Sequence, residues 1–142
     1  MYAALDVADY IVKYSNENNM PVSNLKLQKL MYFVQAEFLV DVGCPCFLED
    51  IEAWDFGPVV PIVYFKYRVY GSANILFFGI NMLDMISYSD KERINVIIRK
   101  CARFSASKLV EITHRQTPWL ESYSPYCNNI ISKDSIRLFF SE

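Results

Sequence analysis

The sequence predicts a mainly α-helical fold of the α+β class, in which a compact bundle of about six helices carries one or two short β segments. The composition is that of a globular protein, because 53% of the 142 residues are hydrophobic and 21% are charged. Apolar residues recur at helical spacing in several separate segments, and strand-like alternation is confined to one short stretch. The length suits a single domain that spans residues 1–142.

The first two helices lie in the N-terminal third of the chain. Residues 4–14 place apolar side chains on one face and polar ones on the other, which predicts an amphipathic helix. Ser23 or Asn24 can cap a second helix that ends near Gly43. The apolar stripe of this second helix consists of Leu27, Leu30, Met31, Val34 and Phe38.

The stretch after Gly43 predicts a short β segment followed by a third helix. Residues 50–53 alternate between charged and apolar side chains, and turn residues lie on both sides of them. Residues 59–70 then predict a helix, because Pro61 suits a first helical turn and Gly71 suits a C-terminal end.

The next segment, residues 73–87, is apolar and interrupted by glycine, and we expect a loop with a short strand there. Ser89 and Glu92 then form a capping-box pattern at the start of a fourth helix. The buried stripe of that helix includes Cys101, a free thiol that behaves as a small apolar residue.

Two short helices complete the prediction. Ser105 begins the first, which ends before residues 113–119. A loop at residues 121–129 follows, and Ser132 caps the last helix. Its inward positions are Ile136, Phe139 and Phe140.

Charge and hydropathy exclude two classes of partner. The net charge of −2, without a clustered Lys and Arg footprint, argues against nucleic-acid binding. The longest apolar runs are far shorter than the ~18 residues that a membrane span requires. The N-terminus has no basic segment before its apolar stretch, so we expect a cytoplasmic protein without a signal peptide.

Few residues could support metal binding or catalysis. Cys44 and Cys46 are spaced too closely for a typical zinc pair, and only Cys127 or His114 could complete the set, so we expect no metal. Any hydrolytic arrangement would depend on His114, the only histidine, and no nucleophile motif accompanies it. No glycine-rich phosphate motif is present, so we expect no cofactor and no catalytic residue. Lys26 and Lys29 are interpreted as a solvated pair that could at most touch an anion.

Residues 62–70 leave two interpretations open. Seven of these nine residues are apolar or aromatic, which is typical either of a core helix or of a helix with one face in the core and another toward a partner. Tyrosine and arginine are common anchors of protein interfaces, so a helix with one face toward a partner stays an open alternative. We do not expect a small-molecule pocket in the turn that precedes this helix.

Three stretches together resemble one protein family. They are SNLKLQKLMYFVQA at residues 23–36, EDIEAWDFGPVVPIVYFKYRVYGS at residues 49–72 and LVEITHRQTPW at residues 109–119. In this order and spacing they resemble the Panacea domain, also called the SocA-like antitoxin domain and related to phage-associated GepA proteins. The resemblance extends over almost the whole chain.

The resemblance identifies a set of motif residues. Those expected to be structural are Lys29, Tyr32, Gln35, Trp54, Gly57, Pro58, Pro61, His114, Pro118 and Trp119. Gly57, Pro58 and Pro61 suit a turn and a helix start, and His114 with Trp119 suits a helix end held by a packed indole. Phe56 stands where the family often has a tyrosine.

The resemblance implies a non-enzymatic antitoxin whose partner is a toxin protein encoded nearby, usually neutralised by direct binding. The alternative mechanism is that of an adaptor, which delivers the toxin to a cytoplasmic ATP-dependent protease. Because unrelated toxins can share one scaffold, the contacts need not be the motif residues. We expect toxin contacts on the third helix, at Tyr64, Lys66, Tyr67 and Arg68.

Overall fold

The computed structural model describes residues 1–77, 79 and 85–142. Over these residues the chain forms seven α-helices, one 3-10 helix and a three-stranded sheet, which confirms the predicted mainly helical α+β fold. The helices are α1 (Ala4–Glu17), α2 (Asn24–Asp41), α3 (Pro61–Tyr67), α4 (Tyr88–Cys101), α5 (Ala106–His114), α6 (Thr117–Ser122) and α7 (Lys133–Phe140). The strands are β1 (Ile51–Trp54), β2 (Gly57–Val59) and β3 (Asn129–Ile131), and the 3-10 helix is Arg68–Tyr70.

Helix α2 is the central element of the fold. Ser23 caps it, because its hydroxyl accepts a hydrogen bond from the Lys26 backbone N–H at 3.2 Å. Helices α1, α3, α4, α5 and α7 and strand β2 all pack against α2. All the residues of the predicted apolar stripe are buried, but so are Gln28, Lys29 and Gln35. A helix with neighbours on nearly every side buries polar positions that a single stripe does not predict.

Serine caps begin most of the later helices. The hydroxyls of Ser105 and Ser132 accept backbone N–H groups at the starts of α5 and α7, as predicted. The capping box at Ser89 is wrong, since α4 begins two residues earlier. Ser87 is the cap and accepts the backbone N–H of Asp90 at 3.2 Å. The two overlapping patterns compete, and the upstream serine has the extended backbone that a cap requires.

The sheet has the antiparallel order β2-β1-β3. Strands β1 and β2 form a hairpin in which Trp54 lies opposite Gly57 across a turn of two residues. Strand β3 was not predicted, and it adds to β1 with Ile131 opposite Ile51. Ile51 and Ala53 are buried, which confirms the alternating pattern of β1.

Helix α3 is shorter than the predicted span of residues 59–70. Val59 belongs instead to β2, Val60 is the N-cap, and the last predicted turn is the 3-10 helix before Gly71. Pro61 does occupy the first turn, as predicted. Helix α6, with Pro118 in its first turn, lies in a region that the sequence analysis left without a helix.

The predicted loop and short strand at residues 73–87 lie partly outside the described residues. Within the described part, Asn74 forms an isolated antiparallel bridge with Ser23. The backbone N–H of Ile75 donates to the Val22 carbonyl at 2.8 Å, and the Ile75 side chain is buried. This pairing holds the segment beside the start of α2.

Candidate functional site

Polar side chains of α2 hold the β1–β2 hairpin and the start of α3. The Gln28 amide oxygen accepts the Val60 backbone N–H at 2.9 Å, and its amide nitrogen donates to the Asn24 side chain at 2.9 Å. Asn24 in turn donates to the Tyr64 backbone carbonyl at 3.1 Å. Both amide side chains are buried, so these bonds satisfy polar groups that no solvent reaches.

Lys29 is fully buried beneath the hairpin, with an exposed fraction of 0%. Its ammonium nitrogen donates to the Pro58 carbonyl at 2.9 Å. Burial lowers the pKa of Lys29 to about 7, because a charged amine is poorly solvated there. The interpretation of Lys26 and Lys29 as a solvated pair is therefore wrong. Lys26 also has a structural role, since it donates to the Phe104 carbonyl at 2.7 Å after the end of α4.

Gly57 is the point of closest approach between the hairpin and its support. Its backbone has a φ of +104°, which favours glycine over residues with a side chain. A Cβ atom at this position would lie 2.7 Å from Lys29 Cε and 2.9 Å from Thr113 Oγ1. The hairpin therefore rests directly on α2 and α5 only because residue 57 lacks a side chain.

Gln35, in the second half of α2, holds the loop at Cys46 and Phe47 through hydrogen bonds to its backbone. Its amide nitrogen donates to the Phe47 carbonyl at 2.9 Å, and its amide oxygen accepts the Cys46 backbone N–H at 2.8 Å.

The Tyr32 hydroxyl donates to the Gln116 side chain at 2.7 Å, and burial raises the pKa of Tyr32. We call Asn24, Gln28, Lys29 and Gln35 the α2 polar cluster.

An aromatic stack also holds the turn of the hairpin. The rings of His114 and Trp119 stack with centroids 4.1 Å apart, and Tyr123 stacks on Trp119 at 4.5 Å. The Trp119 indole N–H donates to the Trp54 carbonyl at 2.8 Å, and His114 Nε2 donates to the Asp55 carbonyl at 2.9 Å. His114 thus ends α5 and contacts a packed indole, in the arrangement that the sequence analysis expected.

A groove of about 550 Å³ opens between the hairpin, the start of α2 and α3. Its walls include the Trp54 and Tyr64 rings, which meet edge to face with centroids 5.0 Å apart. Phe56 and Tyr126 contribute exposed side chains to it, at 67% and 105% of their reference areas. The sequence analysis expected no small-molecule pocket at this turn, and the structure shows an open groove between the turn and the helix.

The outer face of α3 and of the 3-10 helix that follows it continues this surface. Ile62, Phe65 and Val69 lie at helical spacing and are exposed, Val69 by 83%. The Arg68 guanidinium lies 5.1 Å from the centroid of the Phe65 ring and also lines the groove. We call Ile62, Phe65, Arg68 and Val69 the α3 face.

The four residues expected to contact a toxin divide into two pairs. Tyr64 and Arg68 line the groove. Lys66 and Tyr67 instead face α1, where the Lys66 ammonium lies 2.7 Å from the Asp9 carboxylate and the Tyr67 hydroxyl donates to the same carboxylate. Tyr67 is buried, and this burial, reinforced by Asp9, raises its pKa. This second pair joins α3 to α1 within the fold.

Sequence reasoning missed several residues of this region. Val59 and Asn24 were not considered as groove residues, because only the tertiary fold brings β2 and the start of α2 together. Tyr126 was treated as part of a loop, although it has a φ of +63° that is unusual for a tyrosine. A tyrosine within a run of turn residues is the signal that could have marked it.

Comparison with known proteins assigns the chain to a family. The profile of the family described as "antitoxin SocA-like, Panacea domain" matches residues 27–120. The chain belongs to this family. The match contains the hairpin, α3, α5 and most of α2, whereas the groove residues Asn24, Leu25 and 126–128 lie outside it.

A curated relative gives the same assignment at the level of a single protein. The chain is 35% identical over 125 residues to antitoxin SocA of Caulobacter vibrioides strain NA1000 / CB15N. The alignment covers 80% of this chain and 66% of the relative, so this chain spans just under two thirds of the relative's length. No solved structure matches the chain. Among the described residues, no helix combines the length and apolar character needed to cross a membrane.

Proposed function

We propose that this protein is an antitoxin that neutralises a partner toxin by binding it directly. Membership of the SocA-like antitoxin family and the similarity to an antitoxin support the antitoxin role. The observation that carries the binding mechanism is the exposed α3 face beside the groove. A contiguous exposed apolar surface of this kind is typical of protein interaction sites.

The chemistry of this surface suits a protein partner. Trp54, Tyr64 and Arg68 belong to the residue types that supply most interface binding energy. The α3 face adds three exposed apolar side chains next to them. A stable complex should bury more than about 1,000 Å² in total, which requires the groove and the α3 face together.

The contacts of His114 and Lys29 also agree with neutralisation by occlusion, because both side chains are bonded within the fold. His114, the only histidine, is stacked on Trp119 and hydrogen-bonded to a backbone carbonyl. Lys29 is enclosed and bonded to the Pro58 carbonyl. Both side chains support the hairpin, so we propose a role without catalysis, cofactor or metal.

We further propose that residues 1–142 form a single domain. Helices α1 and α7, which lie near the two ends of the chain, both pack on α2. The Arg137 guanidinium of α7 also donates to the Gly43 carbonyl at 2.9 Å. The cytoplasmic location expected from the sequence remains a prediction.

Co-expression with the product of the adjacent gene tests the proposed function. If that product is toxic, wild-type chain should restore growth and co-purify with it. Arg68→Glu should lose both effects, because it reverses the charge at the centre of the proposed contact. The matched control is Lys91→Glu on α4, which reverses one charge far from the groove. A neighbour that is harmless alone and does not co-purify would contradict the antitoxin role.

The half-life of the partner separates blocking from delivery to a protease. If the chain blocks its toxin, the half-life of the toxin is unchanged or longer when the chain is co-expressed. A half-life that shortens, and that recovers when ATP-dependent proteases are deleted, would replace the blocking mechanism with the adaptor alternative.

A further inference from the structure

The groove carries a charge pattern that defines its occupant more closely. Of the lining residues that the structure describes, Arg68 and Asp55 are the two with charged side chains. The Asp55 carboxylate accepts a hydrogen bond from the Tyr123 hydroxyl. No carboxylate of the described residues forms an ion pair with Arg68. Within the described part of the fold, the Asp55 carboxylate thus has a hydrogen-bond donor, whereas the Arg68 guanidinium has no anionic partner and can pair with a carboxylate of a bound segment.

The surroundings of Arg68 hold its guanidinium ready to bind a carboxylate. Its guanidinium lies 5.1 Å from the Phe65 ring centroid, which supports the planar group by a cation–π contact. A guanidinium held in this way keeps its N–H edges free to donate to a carboxylate in a bidentate manner. Lys66, two residues away, has no such freedom, because its ammonium is paired with Asp9.

The rest of the groove favours an aromatic side chain next to that carboxylate. Trp54 meets Tyr64 edge to face at 5.0 Å and Phe65 at 6.3 Å, so aromatic rings already form one wall. A further ring can add to such a cluster in offset or edge-to-face geometry. The volume of about 550 Å³ exceeds what one aromatic side chain needs and suits a short peptide segment.

We propose that the groove binds an internal segment of the toxin in which an aromatic residue is flanked by acidic residues. The aromatic side chain packs on the wall that Trp54 and Tyr64 form, beside Val59, and a flanking carboxylate pairs with Arg68. This inference rests on the proposed function and adds the chemistry of the contact. The occupant is a protein segment because the exposed α3 face extends the contact beyond the groove.

Peptide titration followed by two-dimensional NMR tests this proposal on the full chain. The probe is the peptide Gly-Asp-Phe-Asp-Gly, blocked at both ends so that its only carboxylates are side chains. Two matched peptides replace both aspartates with lysine or the phenylalanine with alanine. We expect saturable shifts at the Trp54 indole and at the Tyr64 and Arg68 amides. Both matched peptides should bind about two- to fivefold more weakly, the scale of one exposed charge contact or one ring contact.

Arg68→Glu provides the decisive variant, because an exposed residue can be changed without unfolding the chain. It should reverse the order of the acidic and basic peptides, whereas Lys91→Glu should leave that order unchanged. A melting curve confirms that both variants are folded. Equal binding of the acidic and basic peptides, or shifts that centre on another surface, would overturn the proposal.

A second copy of the chain is the competing occupant. Sedimentation equilibrium of the free chain tests it. A dimer that Arg68→Glu abolishes would overturn the peptide proposal in favour of self-association, and a monomer supports it. The proposed function is tested separately by growth rescue. If wild-type chain rescues growth but the acidic peptide fails to bind, the antitoxin function stands and only the chemistry of the contact is wrong.

Discussion

The α2 polar cluster and the α3 face each place side chains in the environment opposite to the one that their polarity favours. Gln28, Lys29 and Gln35 are buried, and each is hydrogen-bonded to backbone of the hairpin or of a neighbouring loop. On the α3 face, Phe65 and Val69 are exposed although they are apolar. Polar groups inside and apolar groups outside reverse the usual pattern, and each reversal has its own explanation.

The buried polar groups stabilise the fold, and the exposed apolar groups are available to bind a partner. Buried backbone N–H and C=O groups require hydrogen bonds. Where the hairpin and the loops offer no helix or sheet partner for such groups, the side chains of the α2 polar cluster supply the bond. The α3 face stays exposed because no described element packs over it. Substitutions should therefore change stability at the cluster and partner binding at the face, and the four predictions below test this division.

The largest expected effect is that of Gly57→Ala. The new Cβ would crowd Lys29 Cε and Thr113 Oγ1 at a φ of +104°, so we expect a loss of about 3–4 kcal/mol in the free energy of unfolding. Gly43→Ala is the control, because Gly43 has a φ of +89° but no atom within 4 Å of the new Cβ. Denaturant unfolding should show a loss of only about 1 kcal/mol for the control. Equal losses would mean that crowding contributes nothing.

The next effect is a pH dependence that Lys29 causes. Its folded pKa of about 7 lies below its unfolded value of about 10.4, so unfolding takes up a proton between these values and stability rises with pH. Below pH 7 both states carry the proton, and the cost of burying the charge is fully present. From pH 6.5 to pH 9, wild type should therefore gain about 2–3 kcal/mol relative to Lys29→Met.

The comparison between wild type and Lys29→Met also removes the effect of other groups. Burial raises the pKa of Cys46, for example, which lowers stability at alkaline pH in both proteins. Urea unfolding at several pH values measures the difference. Parallel pH profiles for the two proteins would show that Lys29 keeps an ordinary pKa in the folded chain.

A smaller loss is expected for Gln35→Leu. The leucine fills a similar volume but leaves the Phe47 carbonyl and the Cys46 N–H without their partner, which should cost about 2 kcal/mol. Glu37→Leu is the control, because it makes a comparable change on the same helix at a partly exposed position. If the two variants unfold at the same urea concentration, the bonds of Gln35 are not needed for stability.

The smallest change in stability is expected at the α3 face. Val69→Ser alters a side chain that is 83% exposed, so the free energy of unfolding should change by less than about 0.5 kcal/mol. The same variant should weaken co-purification of the partner, because it removes apolar contact area. If the variant is stable and binds the partner as well as wild type does, Val69 is not part of the interface and the proposed contact is limited to the groove.

The sequence was informative where a local pattern decides the outcome. The stripe of α2, the Ser105 and Ser132 caps, Pro61 at the start of α3 and the alternation in β1 all depend on neighbours within a few residues. The start of α4 was wrong by two residues because two overlapping capping patterns compete. The family resemblance depended on longer motifs, and the match over residues 27–120 confirmed it.

The candidate site was predictable only in part. All four toxin contacts remain predictions: Tyr64 and Arg68 line the groove, whereas Lys66 and Tyr67 bind Asp9 of α1. Helical spacing separates the faces of a helix, yet it does not say which face meets another element. The contact with α1 joins residues 57 and 58 positions apart in sequence.

By itself, the sequence determined the fold class, the positions of most helices and the family, because these depend on periodicity, caps and motifs along the chain. Only the tertiary structure decided that Lys29 is buried, that Gly57 must lack a side chain and that a groove lies between α2, α3 and the hairpin. These features arise where segments distant in sequence come within a few ångströms of each other. Burial, pKa and shape depend on those neighbours, which no local pattern contains.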